Sequence, residues 1–284
     1  MIKNNEITKN EHFIPRFYQK LWESKESKGY VWCFNTELRN VFKTSIRYAC
    51  SKNYCYEPNE QNPNNSFEKM YGKFESEFAP KYKRLINNIS EICCLYKITQ
   101  EDKETICKLY AHLSARHPDN VYGLKTLVIT SGFTLDIEDF KEDRRTLQNI
   151  YSLGKSGIFN EFKGNFEKIL NQQNIEILLS DTPNIIYTDC ITNKIKTKYL
   201  PLSPYVLAKF SAKDTNADRV IRKITEKEHK EFLKEYVQNG YTTKLFASNK
   251  EILEDIKENT FKLTFYSNIK KSAGYDYNLL SDAN

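Results

Sequence analysis

Five ionisable side chains, each on or just after an apolar element, are the groups in this chain whose types could do chemistry: His12, Glu68, Glu75, Arg116 and Asp181. An imidazole can act as a general base or a metal ligand near neutral pH. Two carboxylates on one surface can hold a divalent cation or pass a proton. A guanidinium forms paired hydrogen bonds to phosphate oxygens. Together these types describe a hydrolase cleft, with nucleic acid as the expected substrate. His12 would be a ligand or base, Glu75 and Asp181 catalytic carboxylates, Glu68 a metal ligand and Arg116 a phosphate clamp. A divalent metal is the cofactor that such a cleft calls for, and Arg16 and Tyr18 are the expected substrate contacts. The other reading is a non-catalytic binding or regulatory module, in which the same residues form a buried polar network that fixes the fold.

Each candidate needs an element to aim it. His12 precedes Pro15, whose fixed φ and missing N–H suit a helix start, and Phe13, Phe17 and Leu21 recur every four residues behind it. A buried histidine pinning the N-terminal segment is the plainer reading of His12. Phe67, Met70, Tyr71, Phe74 and Phe78 step by three and four, the mark of an amphipathic helix. Glu68 and Glu75 are two helical turns apart and share its face, as an acid–base pair or as a solvated edge that pairs with lysines. Ser66 is a plain N-cap, with Lys69 where a capping box would have Glu, and Pro80 should kink or end this helix. Thr99-Gln100-Glu101-Asp102 opens the next helix, on which His112 and Arg116 face the same way until Pro118 stops it. Asp181 follows the apolar run Ile175 to Leu179, either as a carboxylate held rigidly at a strand end or as a turn former bonded to its own backbone.

Strands are expected at Tyr30–Phe34, Val41–Ile46, Ile185–Tyr187, Lys196–Leu200 and Tyr205–Phe210, the middle pair forming a hairpin about Thr192-Asn193. Two further helices are expected between Asp136 and Gln173, the second carrying Phe159, Phe162 and Phe166. Thr225–Glu228 and Ser248–Glu251 read as capping boxes, and Phe261–Tyr266 as a late strand. The architecture this predicts is α+β, a mixed or antiparallel sheet covered by a large helical section over 66–173. One domain spans 1–270, and 271–284 is a disordered tail.

Apolar content of 39% and aromatic content of 13% suffice for a sizeable core, and a net charge of +6 leans mildly towards polyanions. Seven cysteines, an odd number, include the vicinal Cys93-Cys94 in an apolar run, and Cys50-x4-Cys55 has no second pair at zinc-finger spacing. With no apolar signal core and no run long enough to span a bilayer, no membrane partner is expected and a reducing cytoplasm is the simplest setting. The chain has no P-loop, no dinucleotide-binding glycine motif, no Gly-x-Ser-x-Gly elbow and no internal repeat.

The stretch from His12 to Trp22 resembles the opening motif, commonly His-Tyr-Val-Pro with aromatics and a basic residue, of a bacterial family of unknown function numbered 4238. Phe67-Glu68 through Glu75, Ser180-Asp181-Thr182-Pro183 and Pro201-Leu202-Ser203-Pro204 match the same family in the same order, from His12 to about Ser248. Arg116-His117-Pro118 fits it too, although Leu113 stands where the family tends to have glutamine. The resemblance supplies a family and no activity.

Overall fold

The computed structural model describes residues 7–57, 63, 65–91, 99–118, 164–168, 176–183, 185–188, 195–210, 221–223 and 242–259. The helix expected from Asp136, the Thr225 helix, the Phe261–Tyr266 strand, Cys93-Cys94, the Thr192-Asn193 turn and the tail lie outside those residues.

The chain enters through β1 (Asn10–His12), which pairs antiparallel with β4 (Ser51–Asn53). Pro15 caps α1 (Arg16–Gln19), a single turn that continues as 3-10 helix through Trp22. The hairpin strands β2 (Tyr30–Asn35) and β3 (Asn40–Ser45) follow where alternation predicts them. Two long helices come next, α2 (Ser66–Glu91) and α3 (Gln100–Arg116). The remaining strands are β5 (Gly164–Lys168), β6 (Leu179–Ser180), β7 (Ile185–Thr188), β8 (Ile195–Ser203), β9 (Val206–Phe210), β10 (Ile221–Lys223) and β11 (Lys244–Ala247), and α4 (Lys250–Asn259) closes the described chain.

Among the described residues the strands form a two-stranded ladder, a four-stranded sheet in the order β3-β2-β11-β6 and a five-stranded sheet in the order β10-β5-β9-β8-β7. All pairs are antiparallel except β10 with β5. The α+β class therefore holds. The helical section is interrupted at its end: Gly164–Lys168, expected within a helix through Phe166, is a strand paired on both sides, so sheet hydrogen bonding prevails there over the helical period.

Helix α2 runs through Pro80 to Glu91, where the proline was expected to kink or end it. A proline inside a helix costs about 3 kcal/mol. Phe78 on one side, Tyr82 and Leu85 on the other are buried in the main core, and their burial offsets that cost at roughly 1.5–3 kcal/mol each. Helix α3 starts as expected: Thr99 accepts from the Asp102 N–H at 3.2 Å, and Asp102 accepts from the Thr99 N–H at 2.8 Å. It ends at Arg116 because Pro118 drives His117 to an extended conformation. Ser248 does not cap α4; its hydroxyl and N–H go to the buried Glu176 carboxylate, and Asn249 accepts from Glu251 N–H at 3.0 Å.

Aromatic residues of the N-terminal motif bolt these layers together. The rings of Tyr18 and Trp22 meet edge to face at 5.2 Å, and Tyr18 meets Tyr82 at 5.9 Å. The register of β8 against β9 slips between Pro201 and Ser203, as a residue without an N–H favours. Tyr18 and Tyr82 donate their hydroxyls to the Pro201 and Leu202 carbonyls at that irregularity, and Trp22 donates to the Ile177 carbonyl at 2.6 Å.

Candidate functional site

The centre of the polar network is Arg116 at the last turn of α3, a side chain only 1% exposed. Its guanidinium donates to the Glu75 carboxylate, to the His12 carbonyl and, at 3.3 Å, to the Tyr56 hydroxyl. A fourth contact, 3.0 Å to His112 Nε2, requires that nitrogen to accept, because a guanidinium has only donors. The Tyr71 ring lies 4.5 Å from the guanidinium carbon and the Tyr56 ring 5.6 Å. Helix geometry produces this set: His112 and Arg116 are one turn apart on α3, and Glu68, Tyr71 and Glu75 share a face of α2.

Protonation follows from burial and from this one cation. Burial pushes His112 down to about 4; the Glu75 carboxylate opposes the shift and the Arg116 charge adds to it. A protonated His112 would also lose the bond that it accepts from Arg116. Burial alone would raise Glu75, but the charge of Arg116 and the hydrogen bond that it donates outweigh it and hold that carboxyl below its usual range. Glu68 goes the other way: burial raises it, repulsion from Glu75 and Glu57 adds to that, and Arg116, 4.0 Å away, only partly compensates. The Glu68 Oε2 atom is buried with no hydrogen-bond partner, although its side chain as a whole is 26% exposed. Glu11 is fully buried. One of its oxygens accepts the Tyr56 N–H at 2.7 Å, the other has no partner, and burial raises the acid to about 7.

Glu68, Glu75 and Arg116 thus come together, with His12 joined to them. His12 contributes its main-chain carbonyl, which accepts from Arg116 and from Tyr56 at 3.0 Å. Its ring is turned to the Ile46 carbonyl at 3.3 Å, and burial, aided by the charges of Arg16 and Arg116, lowers its proton affinity. The other candidates do not bond to Arg116. Arg16 is exposed. Tyr18 is fully buried, its hydroxyl committed to Pro201. Asp181 accepts the Thr243 N–H at 3.1 Å and the Thr243 hydroxyl at 2.5 Å, while its own N–H donates to the Lys244 carbonyl at 3.1 Å. It is neither a turn former closing on its own backbone nor a hydrogen-bond partner of Arg116. It ties the end of β6 to the start of β11, and burial raises it to about 6 against the pull of those bonds.

The sequence reading missed Glu11, Tyr56 and Tyr71. Glu11 carried a signal, since it precedes His12 and stands out as an acid beside an apolar run; Tyr56 is reached only through the fold. No group of three or more His, Cys, Asp or Glu side chains among the described residues is arranged to hold a metal ion, so Glu68 gains no ligand set there. No described helix is long and apolar enough to cross a membrane.

No curated protein and no solved structure matches the chain. The stretch from Asn10, at the start of β1, to Glu251, in the first turn of α4, carries the whole Arg116 network, and it is the stretch matched by one family's sequence model. On that match over residues 10–251, the chain belongs to DUF4238, a protein family of unknown function.

Proposed function

We propose that the chain is a hydrolase acting on nucleic acid by general acid–base catalysis, with Glu68 as the acid and Glu75 as the base. One observation carries the reading. Two partly exposed carboxylates flank a single guanidinium, yet their environments drive their proton affinities apart, Glu68 up and Glu75 down. Opposed shifts in a carboxylate pair are what a reaction needs when one group must give a proton and the other must take one. Glu75 would remove the proton from the attacking hydroxyl, and Glu68 would protonate the departing oxygen. In RNA the 2′-hydroxyl supplies that nucleophile and leaves a 2′,3′-cyclic phosphate, which water opens in a second step with the two carboxyl roles reversed. Arg116, buried and committed to protein acceptors, is a positioning residue here and not a phosphate clamp. The net charge of +6 supports a polyanionic substrate.

A second reading has its own support: Arg116 and Tyr56 both donate to the His12 carbonyl, as a network built only to fix the N-terminal strand would. In that case the chain is a non-catalytic binding or regulatory module. One experiment separates the two. Single- and double-stranded RNA and DNA are incubated with wild type, Glu68→Gln and Glu75→Gln in Mg²⁺, Mn²⁺ or EDTA. Catalysis predicts RNA cleavage that persists in EDTA and falls on the order of a hundredfold or more in either variant, with Glu68→Gln no less stable than wild type. A wild-type protein inert towards every substrate and metal ion, or variants of full activity, would leave the network reading.

A further inference from the structure

We propose that the β2–β3 hairpin carries a binding surface for single-stranded nucleic acid, built by Tyr30, Trp32, Lys43, Arg47, Tyr48 and Lys250. The inference rests on the nucleic-acid half of the reading above and not on its chemistry.

Large apolar side chains left exposed among the described residues are concentrated here: Tyr30, Leu38, Phe42 and Tyr48 belong to this hairpin or its flank, and Ile7 is the other. The same segment, 25–52, holds six basic and two acidic residues, so most of the chain's excess positive charge lies within it. Strand register brings three of these groups onto one face. Trp32 pairs with Lys43 and Tyr30 with Ser45, so Tyr30, Trp32 and Lys43 lie on one face, with Trp32 half-buried against the cluster that Phe34 forms with Ile252, Leu253 and Ile256 of α4, while Val31 and Cys33 point into the main core. The Ile46 N–H donates to the Gly29 carbonyl at 2.9 Å, which sets Arg47 and Tyr48 at the Tyr30 end of the hairpin. Lys250, at the start of α4, reaches over the same Trp32 ring at 5.8 Å, and Lys43 lies over it at 4.7 Å. Arg47 sits 5.7 Å from the Tyr48 ring. Phe42 and Leu38 are not part of the surface; Phe42 faces the opposite side of the strand.

Cations interleaved with the exposed rings of Tyr30 and Tyr48 and with the half-buried ring of Trp32 match a strand whose phosphates alternate with bases free to stack. A duplex hides its base faces and would use only the cations. Acidic Glu26, 3.9 Å from Lys43, is an exposed partner that a phosphate would displace. The surface also adjoins the proposed site: the Ile46 carbonyl, one residue before Arg47, receives the His12 ring, and the His12 carbonyl receives Arg116.

The test is fluorescence anisotropy with a labelled 20-nucleotide oligothymidylate, the matching oligouridylate and a duplex of equal length. Glu68→Gln serves as the parent protein, so that turnover cannot destroy the probe. Single strands should bind more tightly than the duplex. About three cation–phosphate contacts give a salt slope near −2, a loss of roughly twentyfold between 50 and 200 mM salt. Lys43→Glu with Lys250→Glu should weaken binding about tenfold or more, and Tyr30→Ala and Tyr48→Ala about fivefold or more each, with melting temperatures unchanged. Lys81→Glu, on the exposed side of α2, should leave affinity as it is. The proposal is overturned by absence of binding, by binding that the hairpin variants do not change, by a preference for duplex, or by binding to anionic phosphatidylserine vesicles in place of the oligonucleotides. Binding that survives while the wild type cleaves nothing would remove the hydrolase reading and keep this one.

Discussion

Replacing Arg116 by methionine keeps most of its apolar stem and removes the charge that organises the network. The structure sets the size of the loss. Glu75 loses its cationic partner, and breaking a buried ion pair from one side costs about 3–5 kcal/mol. Two features favour the low end. Glu75 is 24% exposed, so water can take up part of its charge, and the His12 carbonyl retains the Tyr56 hydroxyl as a donor. The expected destabilisation is therefore about 3 kcal/mol, or roughly 6–12 °C in melting temperature for a chain of this size. Urea unfolding followed by circular dichroism at pH 7 measures it. Arg116→Lys should recover little, since one ammonium cannot reach acceptors on α2, β1 and the Tyr56 loop at once. The sharper measurement is the cycle with Glu75→Gln. Removing the stranded carboxylate should return about 2 kcal/mol, so the double variant is more stable than the sum of the singles implies. A loss below about 1 kcal/mol for Arg116→Met, or strict additivity in the cycle, would refute the reasoning and return Arg116 to the role of a free phosphate clamp.

His112 is neutral in the fold down to about pH 4 but titrates near 6.5 when unfolded, so its burial adds stability as pH rises from 4 to 6.5, on the order of 3 kcal/mol in all. Glu11 has the opposite sign: the folded state holds its proton up to about 7, so stability falls as pH rises from 4.5 to 7, and Glu11→Gln should unmask the rising His112 slope in unfolding midpoints. Phe78→Ala should cost about 3–5 kcal/mol by denaturant titration. Phe74→Ala should cost less, because Phe74 is only partly buried, although it stacks on the Phe78 ring at 5.0 Å and meets the His112 ring at a tilt at 4.3 Å. Asp181→Asn should shift the unfolding midpoint modestly and leave any nuclease rate within a few-fold of wild type; a hundredfold loss of rate in a stably folded variant would restore Asp181 to the chemistry.

Local physics was legible in the sequence where a short stretch decides it. The period of α2, the Thr99 cap of α3 and the stop at Pro118 are each set within a few residues, and they appear as expected. Pairings between distant segments were not legible. Strand β11 carries only Lys244-Leu245-Phe246-Ala247, and what makes it a central strand is that it fits between β2 and β6, both more than sixty residues away. The turn of Gly164–Lys168 into a strand has the same cause. At the site, residue types identified Glu68, Glu75, Arg116 and the His112 that shares its face, because helical spacing alone aligns them. Which atom of His12 takes part could not be read from residue types, since a main-chain carbonyl has no side-chain signature.

That last point bears on what the family motif is for. The His12–Trp22 stretch looks like a catalytic constellation when its side chains are read as reagents. In the fold, the carbonyls of His12, Ile14 and Ile46 accept from Arg116, Gln19 and His12, and the carbonyls of Ile177, Pro201 and Leu202 accept from Trp22, Tyr18 and Tyr82. Six polar or aromatic side chains thus occupy acceptors on a backbone segment or on an irregular edge of a sheet. A buried carbonyl left without a donor costs about 1–3 kcal/mol, so each such residue is held in place by a loss that a substitution would expose. Arg16, which donates in none of these bonds, is exposed in the middle of the motif. If the motif were chiefly catalytic, this exposed ion should matter. If it is chiefly a clasp, Arg16→Ala should leave both folding and activity intact while Tyr18→Phe and Tyr82→Phe lower the unfolding midpoint. Measuring these three variants side by side assigns the motif to one purpose or the other, independently of whether the Glu68–Glu75 pair performs the proposed reaction.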